Sequence, residues 1–447
     1  MPLSTRFCDG ISRRSSLQLG LMGLGAASGL ASGGLSLADL FASEGQAGSG
    51  NKKSVILIYL SGGLAHQDSF DLKPDAPAEV RGEFRPIDTT VPGFQICELL
   101  PELAQVADQY SVIRSLVGQR DEHSSFQTCS GYTMGETQRD QLPHFGSVVS
   151  KVLGPLNPIV PPFVDLFPTM QHRPYNSPGP GKLGPQYAGT RADGEDLASM
   201  KLRYIPAEQL SHRRALLQQF DTLRRERDTV RVASAEANYQ RAFDVLTSSQ
   251  MVDALDVSRE DPQVRARYGA STSKHQGDGA PLWNDQLIMA RRLVEAGVRC
   301  VTVAYGFWDT HGNNFGHLRG NLPVFDRGIA SLIRDLKERG LDQDTMVVVW
   351  GEFGRTPKIN KDAGRDHWAR VNSALVAGGG LRMGQVIGST DKLGDSAKDR
   401  PVFYQDLLAT IYHTLGVDIR QMVRDATQSP FLLLPSHVSP IRELLPV

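Results

Sequence analysis

Continuous apolar runs, with no alternating polar face, recur along this chain. The first is Ser54-Val55-Ile56-Leu57-Ile58-Tyr59-Leu60, whose β-branched, uncharged make-up predicts a strand buried on both sides. Runs at 110–114, 161–166, 300–304, 345–349 and 373–376 predict further strands. Between them, apolar residues return at helical spacing over 98–109, 144–153, 283–297, 318–339 and 403–415. Strands of the buried kind alternating with helices predict an α/β fold, a three-layer α/β/α sandwich around a mostly parallel sheet. From 168 to about 206 the pattern lapses into Pro, Gly and polar residues, and 207–246 resumes at helical spacing with dense charge. The whole of about 168–280 therefore reads as a loop and helical insertion in a domain spanning 54–447, and long loops in compact enzymes often cover active sites. Arg213, Arg214, Arg224, Arg225 and Arg227 are interleaved with acids, which marks a solvated helix face before an anion site.

The first 47 residues differ. Ser12-Arg13-Arg14-Ser15-Ser16-Leu17 precedes a weakly hydrophobic Gly/Ala/Leu stretch running to about Phe41. Charge, then an apolar run, then small residues is the layout of a secretion signal, and paired arginines with low hydrophobicity resemble a twin-arginine signal. Export by that machinery, to a periplasmic or secreted destination, is the expectation. No later segment is apolar for the eighteen or more residues of a membrane span, so no stable transmembrane span is expected. A formal net charge of −1 over 447 residues gives no footprint for nucleic acid. Of the four cysteines, Cys8 falls in the signal, and Cys97, Cys129 and Cys300 have no metal-like or disulfide spacing.

Two clusters carry the chemistry. Trp308-Asp309-Thr310-His311-Gly312-Asn313-Asn314 follows the strand at 300–304, and Trp350-Gly351-Glu352-Phe353-Gly354-Arg355 follows the strand at 345–349, with Gly364-Arg365-Asp366-His367-Trp368 beyond. Both sit just past a strand end, where open α/β sheets place ligands. Asp309 and His311, two apart, point the same way in extended chain. With Glu352 and His367, and Asp366 assisting, they form a candidate set for one divalent ion, Zn, Mn, Ca or Mg. Arg355 and Arg365 suit a tetrahedral anion, because a guanidinium binds two oxygens at once; an Arg–carboxylate network holding loops together is the alternative. Asn313 can orient a substrate hydroxyl or simply make a turn.

These motifs, together with Gly62-Gly63 before Asp68 and Asp71, Ala242-Phe243-Asp244 and residues 265–269, closely resemble the "domain of unknown function 1501" family over everything after about Ser54. That family is considered similar to sulfatases and alkaline phosphatases, which implies an alkaline-phosphatase-like fold and a metal-dependent esterase. Carried over residue by residue, the resemblance adds Asp68, or Asp71 in its place, as a displaced metal ligand. It puts the nucleophile region at Asp121, His123 and Ser124, with Asp121 the nucleophile or Ser124 in its place, and leaves Asp121 and His123 equally open as metal ligands or ordinary loop residues. Phe353 stands where that superfamily has a metal-binding His, and no Cys-x-Pro-x-Arg sulfatase motif is present. The resemblance implies hydrolysis of a small-molecule or polysaccharide ester of phosphate, sulfate or a related acid. The rival is a non-catalytic secreted protein that keeps the fold to bind a polysaccharide or protein partner.

Overall fold

The computed structural model describes residues 51–192 and 249–446. The signal, the charged helix expected at 207–246 and Ala242-Phe243-Asp244 lie outside the described residues.

Among the described residues, nine strands form the central sheet: β1 (Ser54–Ser61), β2 (Tyr110–Val117), β3 (Phe163–Asp165), β4 (Thr190–Arg191), β5 (Cys300–Phe307), β6 (Thr345–Gly351), β7 (Asn372–Gly378), β8 (Val386–Ile387) and β9 (Val402–Phe403). Their order is β8-β2-β7-β6-β1-β5-β3-β4, with β9 also paired to β2. Every ladder in it is parallel except the two that β7 makes, antiparallel, with β2 and β6. The expected mostly parallel sheet is therefore present.

β1 shows why its sequence has no alternation. Ile56, Ile58 and Leu60 enter one apolar cluster and Val55, Leu57 and Tyr59 the other, one on each face. Helices α5 (Asn284–Glu295) and α6 (Asn314–Glu338) cover the first face through Leu287, Ile288, Phe325 and Ile329. Helices α2 (Phe145–Val152) and α7 (Tyr404–Leu415) cover the second through Phe145, Val149, Leu407 and Ile411. Of the remaining helices that matter here, α1 is Phe126–Ser130, α3 Ser249–Leu255 and α4 Pro262–Tyr268. The three layers of the sandwich are thus in place. The helix expected at 98–109 is only two short turns, Pro101–Ala104 and Ala107–Gln109. By contrast, α6 begins four residues before the expected 318, because Asn313 takes a left-handed conformation (φ 47) and turns the chain into it.

Asp326 of α6 is buried and accepts hydrogen bonds from the backbone N–H groups of Glu102 and Leu103, each at 2.8 Å. Burial pushes its carboxyl up to about 7. The folded state then keeps a proton that the unfolded chain, titrating near 3.9, has lost. Stability contributed by this group is therefore full below about pH 4 and declines as pH rises towards 7, by at most about 1.4 kcal/mol per unit. His144, which burial lowers to about 3, adds the opposite slope below about pH 6.5. Urea unfolding at pH 5 and pH 7.5, compared between the parent and Asp326→Asn, isolates the Asp326 part. The parent should lose more stability than the variant across that interval.

Candidate metal centre

Parallel pairing of β1 with both β5 and β6 brings their C-terminal ends to one edge. Gly62 sits at the centre of that edge with φ +94, and a Cβ there would lie 2.5 Å from the Asp309 backbone nitrogen. Only glycine lets the turn after β1 pass this close to the chain leaving β5. The Gly62 N–H donates to Glu352 Oε1 at 2.8 Å, which ties the turn to the end of β6 as well.

Around this turn stand His123, Asp309, His311 and His367, whose ligand-capable atoms all lie within 4.8 Å of one another. His311 Nε2 is 3.0 Å from Asp309 Oδ1, His367 Nε2 is 3.4 Å from the same oxygen, and His123 Nε2 is 3.4 Å from Asp309 Oδ2. Each opposite ring nitrogen has its own partner. His311 Nδ1 meets Asp366 Oδ1 at 2.8 Å, and His367 Nδ1 meets Asp121 Oδ1 at 2.8 Å. His123 Nδ1 lies 2.6 Å from the Tyr175 hydroxyl and 3.4 Å from Glu352 Oε1. A carboxylate or hydroxyl behind the ring, with Nε2 facing a common centre, is the arrangement that orients histidines on a metal.

His311 Nε2 and His367 Nε2 face each other at 3.0 Å. If both rings donate Nδ1–H to their carboxylates, two bare lone pairs point at one another, and such a contact calls for an electrophile between them. A tetrahedral ion with metal–nitrogen bonds of about 2.0–2.1 Å spaces its ligands about 3.3 Å apart, close to the 3.0–3.4 Å separations here. The residues present fit such an ion. Three nitrogens and one carboxylate suit Zn²⁺ or another first-row metal better than Ca²⁺ or Mg²⁺, which take oxygen ligands.

Burial alone would raise the Asp309 carboxyl, but the His367 hydrogen bond and the Arg355 guanidinium outweigh it and hold the group well below the usual carboxylate range. For His123, burial lowers the pKa, while the hydrogen bond and charge of Glu352 and the charge of Asp309 outweigh it and raise the value. The hydrogen bond from His311 likewise keeps Asp366 low. Asp309 is thus held in its ionised form, the form that can ligate a cation.

The remaining expected residues are placed differently. Glu352 is fully buried, and its Oε2 has no hydrogen-bond partner among the described residues; Oε1 bonds the Gly62 N–H behind His123. Asp366 supports His311, and Asp121 supports His367, so both stand behind the four converging atoms. Asp68 is taken up in a buried pair with Arg365, at 2.7 and 2.8 Å, and accepts from Asn314 Nδ2 at 2.8 Å. Arg365 also donates to Val80 O and Thr356 O. Arg355, equally buried, donates to Asp309 Oδ1 at 2.5 Å and to the carbonyls of Gly62, Gly63 and Arg365. Both guanidiniums are consumed inside the protein, which is the loop-holding alternative, and neither offers a free fork to an anion. Asn313 N–H bonds Asp362 O, and its side chain folds back over Gly316 at the start of α6. Ser124 Oγ is buried without a partner among the described residues. Phe353 packs its ring against His367 and His123, at centroid distances of 4.5 and 5.2 Å, so the residue that cannot ligate supports two that can.

Sequence reasoning left His123 open as a metal ligand beside the nucleophile region, and the structure brings it among the converging ligand-type atoms; Tyr175 was missed. Nothing local at 168–192 marks a tyrosine that reaches the sheet edge. A cavity of about 190 Å³, lined by Gln109, Lys337, Gln343 and Gly378 among others, opens at the opposite edge, beside the start of β6. It has no part in this site.

A sequence model of the family described as "Protein of unknown function (DUF1501)" matches residues 52–445. No curated protein matches the sequence. Among solved structures, the chain is similar to the lipoteichoic acid synthase LtaP from Listeria monocytogenes at 9% identity and TM-score 0.38, covering 87% of this chain and 76% of that one. It is similar to the PsFucS1 sulfatase from Pseudoalteromonas sp. at 12% identity and TM-score 0.37, covering 97% and 75%. The phosphonate monoester hydrolase SpPMH from Silicibacter pomeroyi stands at 14% and 0.32, covering 83% and 74%. These likenesses are remote, and the fold rests on the strand order and register.

Proposed function

The chain belongs to the DUF1501 family, matched over residues 52–445, and we propose that it is a metal-dependent hydrolase of a phosphate, sulfate or related ester. The observation that carries this reading is the 3.0 Å approach of His311 Nε2 to His367 Nε2 beside Asp309, with both Nδ1 atoms held by carboxylates. Asp309, His311, His367 and His123 would hold one cation. When bound, such an ion supplies Lewis acidity, polarising an ester oxygen and lowering the pKa of water. The protein's own part is orientation: Asp121, Asp366, Tyr175 and Glu352 fix the three rings. Asp121 and Asp366 are exposed and open a route for protons between the rings and solvent. Asp121 is taken up by His367 Nδ1 and Ser124 is buried; with no protein nucleophile assigned, water is the proposed one.

That missing nucleophile also favours the second reading, a protein that binds its ligand through the ion without turning it over. Elemental mass spectrometry on the purified protein, followed by assays with p-nitrophenyl phosphate and p-nitrophenyl sulfate, separates the two. Stoichiometric metal with metal-dependent turnover supports the hydrolase. Stoichiometric metal with no turnover of any ester supports the binding protein, and absence of metal after incubation with Zn²⁺ and Mn²⁺ sinks both. Export through the twin-arginine machinery to the periplasm or beyond remains part of the proposal, on the strength of residues 12–17. Among the described residues no helix is long and apolar enough to cross a membrane.

A further inference from the structure

Two of the three histidines receive their Nδ1 partner from the loops that carry the site itself, at Asp121 and Asp366. The third does not. His123 Nδ1 is met at 2.6 Å by Tyr175, which comes from the Pro/Gly-rich segment after β3. We infer that residues 170–176 form a strap whose docking is coupled to metal binding, with Tyr175 as the positioning residue for His123. This inference rests on the metal-binding reading above.

His123 can present an Nε2 lone pair to a cation only in the tautomer that carries its proton on Nδ1. That proton then donates to the Tyr175 oxygen, or to Glu352 Oε1 at the longer distance of 3.4 Å. The carboxylate of Glu352, which can only accept, selects this tautomer, and the buried Tyr175, the closer of the two groups, fixes the ring plane. The strap makes further contacts with the same loop. His172 Nε2 lies 3.0 Å from the His123 carbonyl, Ser125 N–H donates to Pro174 O at 3.1 Å, and Ser125 Oγ donates to Asn176 O at 2.8 Å. The rings of His123, His172 and Tyr175 pack edge to face at 4.6–5.8 Å. Within the strap, Tyr175 N–H and Asn176 N–H are bonded to the carbonyls of His172 and Arg173, and Met170 N–H to Asn176 Oδ1. A strap that orders a ligand must, by reciprocity, be ordered by the metal that ligand binds.

The test uses the full chain, Zn²⁺ and amide hydrogen exchange. In the wild type, saturating Zn²⁺ should slow exchange at the Tyr175 and Asn176 amides. In Tyr175→Phe, Zn²⁺ affinity should fall about tenfold, the lower end of what loss of a group behind a metal ligand costs, and added Zn²⁺ should no longer protect those amides. A tyrosine that serves packing alone would loosen the strap equally with and without Zn²⁺ and leave affinity unchanged, which overturns the inference. Wild-type protein that binds Zn²⁺ without protecting the strap overturns it too, and leaves the metal reading standing. Wild-type protein that binds no metal removes both. The wild-type comparison needs no variant, so it decides the matter even where Tyr175→Phe fails to fold.

Discussion

Replacing His367 by alanine is expected to lower divalent-ion affinity by more than about a hundredfold, beyond the range seen when only a supporting group is lost, and to abolish ester turnover with it. His367 Nε2 lies 3.0 Å from His311 Nε2 and 3.4 Å from Asp309 Oδ1, so its removal takes away one of four converging donors. Asp121→Asn is the matched control. It leaves all four donors in place and removes only the charge behind His367 Nδ1, from a side chain that is 61% exposed. Its cost should be about tenfold. Isothermal titration with Zn²⁺ measures both, and circular dichroism checks that each variant is folded. Equal affinities for parent, His367→Ala and Asp121→Asn would mean that the ion binds elsewhere or not at all.

The ordering of those two residues was only half legible in the sequence. The strands were readable because β1, β5 and β6 are buried on both faces, and such burial leaves an unbroken apolar run. Asp309, His311 and His367 were readable because each follows a strand or a glycine turn at the edge where such sheets place ligands. His123 was harder. It follows β2, which is separated from β6 by the antiparallel β7, so its approach to Asp309 depends on how a loop crosses the sheet edge, and no local pattern encodes that. Tyr175 is harder still, since the segment around it has no periodicity. The arginines took the loop-holding alternative left open for them, and the two outlying acids, Glu352 and Asp68, stand apart from the four converging atoms for a related reason. A charged residue beside a glycine turn reads as exposed and available, yet a buried carbonyl or carboxylate nearby can claim every donor it has. Arg355, with Asp309 and three backbone carbonyls, is that case. Glu352 is its acidic counterpart, drawn under the site by the Gly62 N–H.

Asp68 gives the sharpest separation between what the sequence implies and what the structure assigns. As a metal ligand, its loss would strip the ion and leave the fold largely untouched. In the structure its carboxylate is 1% exposed and pairs with an Arg365 guanidinium that is fully buried, with Asn314 Nδ2 on the same oxygen. Arg365 in turn holds the carbonyls of Val80 and Thr356 and precedes Asp366 and His367 in sequence. Asp68→Ala therefore leaves a buried cation without its counter-charge, and breaking such a pair costs about 3–5 kcal/mol. A large drop in the urea midpoint is the expected result, with Zn²⁺ affinity of the remaining folded protein changed far less than in His367→Ala. The double variant Asp68→Ala, Arg365→Met should recover only part of that stability, because it removes the uncompensated charge but leaves Asn314 Nδ2 and the carbonyls of Val80 and Thr356 without their partners. Retained stability with lost metal in Asp68→Ala would reverse the assignment and return Asp68 to the ion.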